Sequence, residues 1–225
     1  MTMRDFIRDP LYSITYVLTQ LIFPVLFRFK VAGRENVPPN GALIVAPTHR
    51  SYVDPIFVGA ALPRRAFYMA KAEAFEVPLL GAIMRAYHAF PVRREIFDRR
   101  AIRFAMHLLA HGEALVMFPE GTRNPHHELL QPKLGIAYLA LQTGAPVLPV
   151  ALMGTEGVMP IGEARLRLAP VEVRFGEALQ FELLKGEKPE RELLVSVAVE
   201  IMRALSNLSG RPFKPTRMRG GEINA

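Results

Sequence analysis

The feature that most constrains this sequence is the alternation of short apolar segments with longer amphipathic ones. The short segments end at turn-forming or charged residues, as buried strands do, and the longer ones have helical spacing and end at Gly or Pro. The predicted strands are 29–37, 42–46, 66–70, 89–92, 114–118, 147–153 and 165–175, and the predicted helices are 56–62, 77–87, 97–111, 134–143 and 190–208. This alternation predicts a single α/β domain with a mostly parallel central sheet flanked by helices.

The composition narrows the classes of partner. The chain has 225 residues, 50% hydrophobic and 22% charged, which is typical of a globular protein. It contains no Cys, which excludes a disulfide partner, Cys-ligated zinc and a Cys nucleophile. The net charge of +7 favours an anionic partner: nucleic acid, an anionic membrane surface or a phosphorylated small molecule. The basic tail at 211–225 has a single aromatic residue, Phe213, and lacks a series of aromatics interleaved with its cations, so we do not expect nucleic acid binding.

Residues 11–27 form an uncharged stretch near the N-terminus. The stretch is marginal for crossing a bilayer, which takes about 20 apolar residues, and Pro24 interrupts it. Three cations follow, as at the edge of an anionic membrane: Arg28, Lys30 and Arg34. We expect residues 1–28 to form a helical segment that lies in the membrane interface. The alternative is an ordinary helix packed on the domain.

His49 and Asp54 are the first candidates for chemistry. His49 follows the apolar run 42–46, at the strand end where open α/β sheets place ligands. Asp54 comes five residues later, so a tight loop could fold its carboxylate onto the imidazole. Such a pair fixes the tautomer and leaves the other ring nitrogen as a base. A loop His beside a helix-capping Asp would have the same spacing, so the pair alone does not distinguish a catalytic role from a structural one.

Charged side chains also follow other predicted strands. The set that would meet at one sheet edge is His49 with Asp54, Lys71, Arg93 with Arg94, and Glu120 with Arg123. Cations at such an edge suit a phosphate, although each alone could be a solvated surface charge. His126 and His127 are interpreted as a loop pair, because no second ligand cluster with metal-site spacing accompanies them, and we expect no metal.

Taken in order, these blocks resemble the glycerolipid acyltransferase family over roughly residues 30–155. The blocks are H-R-S-Y-V-D at 49–54, Lys71 after the second strand, F-P-V-R-R at 90–94, F-P-E-G-T-R at 118–123 and V-L-P-V at 147–150. Arg94 is the counterpart of the Arg in the second of the family's blocks. Several blocks in order are far more specific than one of them.

The resemblance implies transfer of a fatty acyl group from a thioester, acyl-CoA or acyl carrier protein, to the free hydroxyl of 1-acyl-glycerol-3-phosphate. His49 would be the general base and Asp54 would orient it. The predicted substrate-binding residues are Lys71, Arg94, Glu120, Gly121, Thr122 and Arg123. Lys71, Arg94 and Arg123 would hold the acceptor phosphate, and Glu120 would bind an acceptor hydroxyl or orient Arg123. No resident cofactor is expected, since the thioester is already activated.

Together with the uncharged N-terminal stretch and the basic C-terminal residues, the resemblance divides the chain into a membrane-associating helical segment (1–28), an acyltransferase domain (29–210) and a mobile basic tail (211–225). It implies a protein on the cytoplasmic face of the cell membrane. Two other functions remain open: an acyltransferase for another acceptor, such as glycerol-3-phosphate, another lysophospholipid or an amino-lipid, and a membrane-binding protein without catalysis.

Overall fold

The central sheet follows the predicted alternation. The computed structural model of the protein describes residues 10–93, 98–163, 165–184 and 186–215. Its strands are β1 (Lys30–Ala32), β2 (Leu43–Pro47), β3 (Ala66–Lys71), β4 (Ala89–Val92), β5 (Ala114–Val116), β6 (Val147–Met153) and β7 (Glu172–Phe175). In the described part of the chain they form a seven-stranded sheet in the order β1-β7-β6-β2-β5-β3-β4. β2 to β6 are parallel, β7 is antiparallel to β6, and β1 is parallel to β7. The prediction of a mostly parallel sheet is confirmed.

Helices cover both faces of this sheet. They are α1 (Pro10–Phe27), α2 (Asp54–Ala61), α3 (Pro78–Ala86), α4 (Arg99–Ala110), α5 (Gly135–Thr143), α6 (Thr155–Val158) and α7 (Arg191–Ser209). α4, α5 and α7 bury their apolar sides against one sheet face, around Ile44 and Leu115. α1 and α2 contribute Phe27 and Phe57 to the core on the other face. Each strand therefore turns alternate side chains into two separate apolar cores.

β2 lies in the middle of the sheet, and all five of its residues are buried. A strand buried on both faces must be apolar throughout, which explains the run Leu43–Pro47. The first polar side chains after β2 lie at the carboxyl edge of the sheet, which β3, β4, β5 and β6 share because they run parallel to it. The sheet thus presents one edge to which several loops contribute.

Three predicted strands are shorter than expected, and one of them, β5, ends at Val116. β1 ends at Ala32 because Gly33 has φ +71° and the chain turns into a 3-10 helix at Arg34–Asn36. A Cβ at Gly33 would lie 2.1 Å from the Phe175 carbonyl oxygen, so this position requires glycine. In 165–175, only β7 pairs with a neighbour, and Leu166 and Leu168 remain exposed.

α1 lies along the domain and keeps one side exposed. Gln20 Nε2 donates to the Ala60 carbonyl oxygen at 2.7 Å, and the hydroxyls of Thr15 and Tyr87 are hydrogen-bonded at 2.7 Å. The rest of its surface exposes Leu11, Ile14, Val17, Leu18, Leu21, Ile22, Val25 and Leu26. By length and composition, α1 is the one helix among the described residues that could cross a membrane. Its contacts along the domain and its exposed apolar side give it two different environments.

The prediction of a mobile basic tail starting at residue 211 is wrong for its first residues. Arg211 is buried at 5% exposure, and Gln131 Nε2 donates to the Lys214 carbonyl oxygen at 2.7 Å. The predicted start of the tail at residue 211 is misplaced because the Arg211 guanidinium contacts carbonyl and carboxylate oxygens inside the protein. Residues 1–9 and 216–225 lie outside the described residues.

Candidate active site

His49 and Asp54 meet at the carboxyl end of β2. The distance from His49 Nδ1 to Asp54 Oδ2 is 2.8 Å, and both residues are buried, at 7% and 0% exposure. When Nδ1–H donates to the carboxylate, the ring keeps its lone pair on Nε2. The arrangement is that of a general base held by an orienting acid.

The loop between the two residues explains how the carboxylate folds back. Asp54 opens α2, and its Oδ2 also accepts the backbone N–H groups of Arg50 at 2.6 Å and Ser51 at 2.7 Å. Three donors on one oxygen hold the carboxylate in a single orientation. The Ser51 hydroxyl donates to the Met159 carbonyl oxygen at 2.7 Å and accepts from Val53 N–H at 3.3 Å. Ser51 therefore has a structural role in this loop.

Phe118 and Glu120 bring a second loop against His49. The Phe118 and His49 rings are stacked, with centroids 3.9 Å apart and planes 24° from parallel. Glu120 Oε1 accepts the His49 backbone N–H at 3.2 Å. Its Oε2 accepts from Asn124 Nδ2 and from Leu130 N–H, each at 3.1 Å. The loop that follows β5 thus fixes both the ring and the main chain of His49.

These contacts do not support the predicted role of Glu120 in binding an acceptor hydroxyl. Glu120 is only 2% exposed, and both of its oxygens accept hydrogen bonds from protein groups. Nor does its geometry connect it with Arg123, whose guanidinium carbon lies 3.5 Å above the centre of the Tyr52 ring. A buried carboxylate surrounded by donors positions the residues that it binds.

The remaining residues of this block form the exposed end of the turn. Gly121 has φ +68°, a left-handed conformation that favours glycine. Thr122 is exposed and Arg123 is half-buried. Because Tyr52 lies in the His49–Asp54 loop, its contact with Arg123 places a cation beside that loop.

Lys71 and Arg94 were both predicted to bind the acceptor phosphate, and the structure describes only Lys71. Side-chain alternation along β3 places Lys71 on the same face as Phe67 and Met69, which belong to the core under α4 and α5. Phe118, stacked on His49, belongs to the opposite core. Lys71 Nζ also lies 3.1 Å from Glu73 Oε1. This position does not support Lys71 as a ligand of a phosphate beside His49. Arg94 lies outside the described residues.

Two residues of the site were not identified from the sequence. Asn124 is buried, bonds Glu120, and donates its N–H to the His49 carbonyl oxygen at 2.9 Å. Its position directly after the block 118–123 could have indicated from the sequence that Asn124 belongs to the site. Arg211 reaches the same loop from the end of α7, with Nη1 3.8 Å from Glu120 Oε1. Its sequence context of Gly and Pro gave no indication of burial.

The part of the chain that the structure describes contains no group of three or more His, Asp or Glu side chains that could hold a metal ion. His126 and His127 lie exposed in the loop after Arg123, and their backbone carbonyls accept hydrogen bonds from Arg211.

Comparison with known proteins identifies the family. Residues 28–153, more than half of the chain, match the Acyltransferase family. The 1-acyl-sn-glycerol-3-phosphate acyltransferase of Bacillus subtilis is 30% identical over 183 residues, which cover 81% of this chain and 88% of that protein. The chain belongs to the glycerolipid acyltransferase family.

Two more members show how widely this domain occurs. The chloroplastic 1-acyl-sn-glycerol-3-phosphate acyltransferase of Arabidopsis thaliana is 31% identical over 146 residues, 63% of this chain but only 40% of that longer protein. The crystal structure of the 1-acyl-sn-glycerophosphate acyltransferase PlsC of Thermotoga maritima superposes with a TM-score of 0.71 at 27% identity. It covers 92% of this chain and 83% of that one. This glycerolipid acyltransferase is therefore an enzyme with the α/β fold of its family.

Proposed function

We propose that this acyltransferase transfers a fatty acyl group from a thioester to the free hydroxyl of 1-acyl-glycerol-3-phosphate, which gives phosphatidic acid. The observation that carries the proposal is the buried His49–Asp54 pair, with Nδ1 and Oδ2 2.8 Å apart at the carboxyl edge of the sheet. The names of the relatives in Bacillus subtilis and Arabidopsis thaliana support the acceptor.

In the proposed reaction, His49 Nε2 removes the proton of the acceptor hydroxyl as its oxygen attacks the thioester carbonyl. Asp54 keeps Nδ1 protonated and stabilises the imidazolium that forms. The tetrahedral intermediate then collapses, the carbon–sulfur bond breaks, and the imidazolium returns its proton to the thiolate. Because a thiol has a pKa near 8.5, it leaves without a covalent acyl-enzyme. The engagement of the Ser51 hydroxyl with Met159 fits such a direct transfer.

The donor is a thioester of coenzyme A or of an acyl carrier protein, and the reaction uses no resident cofactor. Among the cations of the described residues, Arg123 is our proposed ligand of the acceptor phosphate, because it lies against Tyr52 beside the His49–Asp54 loop. Arg94 is the second proposed phosphate ligand. Gly121 and Thr122 shape the turn that presents Arg123, and Glu120 positions His49.

The reaction takes place at an anionic membrane surface on the cytoplasmic face of the cell membrane. α1 supplies an exposed apolar side that would enter the interface while its opposite side stays bonded to the domain through Gln20 and Ala60. Lys30 and Arg34 follow this helix and add attraction to anionic lipid.

A panel of acceptors offered to the purified full-length protein tests the proposal. The panel contains 1-acyl-glycerol-3-phosphate, glycerol-3-phosphate, lysophosphatidylcholine and an amino-lipid, each with acyl-CoA and with acyl carrier protein as donor. We expect phosphatidic acid as the main product. Preferred acylation of another acceptor would overturn the assigned substrate, and thioester cleavage in none of the mixtures would overturn the activity.

A further inference from the structure

The chain that follows α7 turns back into the protein at Arg211. Gly210 ends the helix with φ +69°, and Arg211 is tied to the last turn through its own N–H to Ser209 Oγ at 3.3 Å and its carbonyl oxygen from Ser206 Oγ at 2.6 Å. The side chain is buried at 5% exposure. A buried Arg so close to the end of the described chain needs partners that compensate for its desolvation.

Those partners are the backbone of the loop that follows the block 118–123. Arg211 Nε donates to the His127 carbonyl oxygen at 2.9 Å. Its Nη2 donates to the carbonyl oxygens of His126 at 3.0 Å and Glu128 at 3.2 Å. The next residues add a backbone hydrogen bond of 2.9 Å from Leu129 N–H to the Pro212 carbonyl oxygen. One guanidinium thus holds three consecutive peptide groups.

The fourth partner connects Arg211 with the catalytic pair. Its Nη1 lies 3.8 Å from Glu120 Oε1, within ion-pair distance, and both side chains are buried. The same Oε1 accepts the His49 backbone N–H. Burial lowers the pKa of the Arg211 guanidinium from its ordinary value, and the Glu120 carboxylate opposes that shift. The chain from Arg211 through Glu120 to His49 is a continuous electrostatic and hydrogen-bonded network.

We infer that Arg211 is a positioning residue of the active site, which holds the Glu120 carboxylate and the 126–128 loop so that Glu120 fixes the main chain of His49. The inference rests on the proposed function, in which His49 is the base. It gives Arg211, the second residue after α7, a role in holding the loops that surround the proposed base.

The chemistry of the contacts explains why arginine occupies this position. A planar guanidinium has five N–H donors in a fixed arrangement and stays charged when it is buried. Its Nε and Nη2 donate to three carbonyl oxygens, while Nη1 faces the Glu120 carboxylate at ion-pair distance without a hydrogen bond. The ammonium of Lys has three donors at one point and could not cover these positions together. Without the cation, the buried Glu120 carboxylate would keep only neutral donors.

The test compares the full-length protein with Arg211→Gln, Arg211→Lys and the matched control Lys214→Gln. Lys214 lies on the same segment, but it is exposed, and its ion-pair partner at 2.9 Å is Glu128, not Glu120. Turnover in Arg211→Gln should fall about 10²-fold, the effect of displacing a catalytic group by about 1 Å. The KM values should change little. Arg211→Lys should recover part of the turnover, and Lys214→Gln should behave as wild type.

A second readout does not depend on activity: the NMR signal and the hydrogen exchange of the His49 backbone N–H, which donates to Glu120 Oε1 and is assigned with His49→Gln. Without the cation, Glu120 loses its ionic partner and holds this N–H less firmly. The His49 amide signal should therefore shift and its exchange should accelerate in Arg211→Gln, and both should stay unchanged in Lys214→Gln.

The outcomes separate the two proposals. An unchanged His49 amide signal and exchange rate in folded Arg211→Gln would overturn the positioning role. The same holds if lost turnover in Arg211→Gln follows only the fraction of unfolded protein at the assay temperature. Wild-type protein without transfer to any acceptor would overturn the proposed function, and a shifted His49 amide signal in Arg211→Gln would still support the positioning role.

Discussion

The Glu120 carboxylate binds the main chain of His49, with Oε1 accepting the His49 N–H at 3.2 Å across 71 residues of sequence. Its other oxygen binds Asn124 Nδ2 and the N–H of Leu130, and Arg211 approaches Oε1. All four partners are donors, so the site is built for a carboxylate. The two loops that carry the most distinctive sequence blocks are joined through this one side chain.

Glu120→Gln should lower turnover and stability together. The amide NH₂ would face a donor at one of the oxygen positions, and a buried donor without an acceptor costs about 1–3 kcal/mol. Turnover should fall while the KM for the acceptor stays unchanged, because Glu120 does not face the substrate. Steady-state kinetics and urea unfolding measure both effects. Glu163→Gln, an exposed carboxylate paired with Arg167, is the control. A raised acceptor KM with normal turnover would return Glu120 to acceptor binding.

His49→Ala should reduce turnover by about 10²–10⁴-fold, the contribution of a positioned base, with the fold intact. Asp54→Asn should also reduce turnover strongly, because its amide favours the wrong ring tautomer. Circular dichroism and single-turnover transfer measure the two properties separately. His107→Ala, an exposed residue on α4, should be fully active. Near-normal turnover in His49→Ala would remove the assignment of the base.

Arg123→Ala should raise the KM for 1-acyl-glycerol-3-phosphate by about 10–100-fold, because a hydrogen bond to a charged group contributes about 1.5–3 kcal/mol. The KM for the thioester should remain unchanged, and an acceptor without phosphate should show no difference between variant and wild type. Arg174→Ala, an exposed cation on β7, is the matched control. An equal loss for acceptors with and without phosphate would contradict phosphate binding.

The exposed side of α1 should account for most of the membrane affinity. Leu21 and Val25 are 67% and 78% exposed, and each should contribute up to about 1.5–3 kcal/mol if it is fully buried in the interface. Leu21→Ser with Val25→Ser should therefore reduce flotation with anionic liposomes, and the loss should persist at high salt. These point variants are preferable to deletion of α1, which would expose the Phe57 ring.

The control for this experiment is Leu166→Ser with Leu168→Ser, which changes two exposed apolar residues away from α1. It should float as wild type does. Equal flotation of the α1 variant and wild type would make α1 a structural helix. Cleavage of the N-terminus by protease on the far side of sealed vesicles would show that the segment crosses the bilayer.

Asp98 should make part of the free energy of unfolding depend on pH in the acid range. It caps α4 by accepting the N–H groups of Arg100 and Ala101, and it also accepts from Arg93 N–H. Partial burial raises the pKa of its carboxyl group, but these hydrogen bonds outweigh burial and the net shift is downward. Ionised Asp98 therefore stabilises the folded state fully at a pH above the pKa that its carboxyl group has in the unfolded chain. This stabilisation is lost as the pH falls through the lower pKa of the folded state.

Asp98→Ala should cost about 0.5–2 kcal/mol at neutral pH, the usual contribution of an N-cap, and much less in strong acid. Asp98→Asn keeps a neutral capping group and should remove the acid dependence instead. Urea unfolding across the acid range measures the difference. An equal loss for Asp98→Ala at every pH would show that the charge of the cap is irrelevant.

The sequence by itself determined the alternation of strands and helices, the proposed catalytic pair and the order of the family blocks. These are local patterns: apolar periodicity within one element, or a motif such as 49–54 whose residues lie in one loop. The His49–Asp54 contact was predictable for that reason, since the two residues are joined by a turn. The family resemblance added the reaction.

Only the tertiary structure decided the partners of the buried charges. Glu120 binds His49 through two loops that meet at the sheet edge, and Arg211 comes from the end of α7, so neither contact has a local signal. The same holds for β7, which pairs antiparallel with β6, and for Lys71, which the alternation of β3 turns to the far face. Because charged residues are mostly exposed to solvent, a charged residue in a sequence is expected to lie at the surface. Only the packed structure shows that a carboxylate or guanidinium has exchanged water for protein partners.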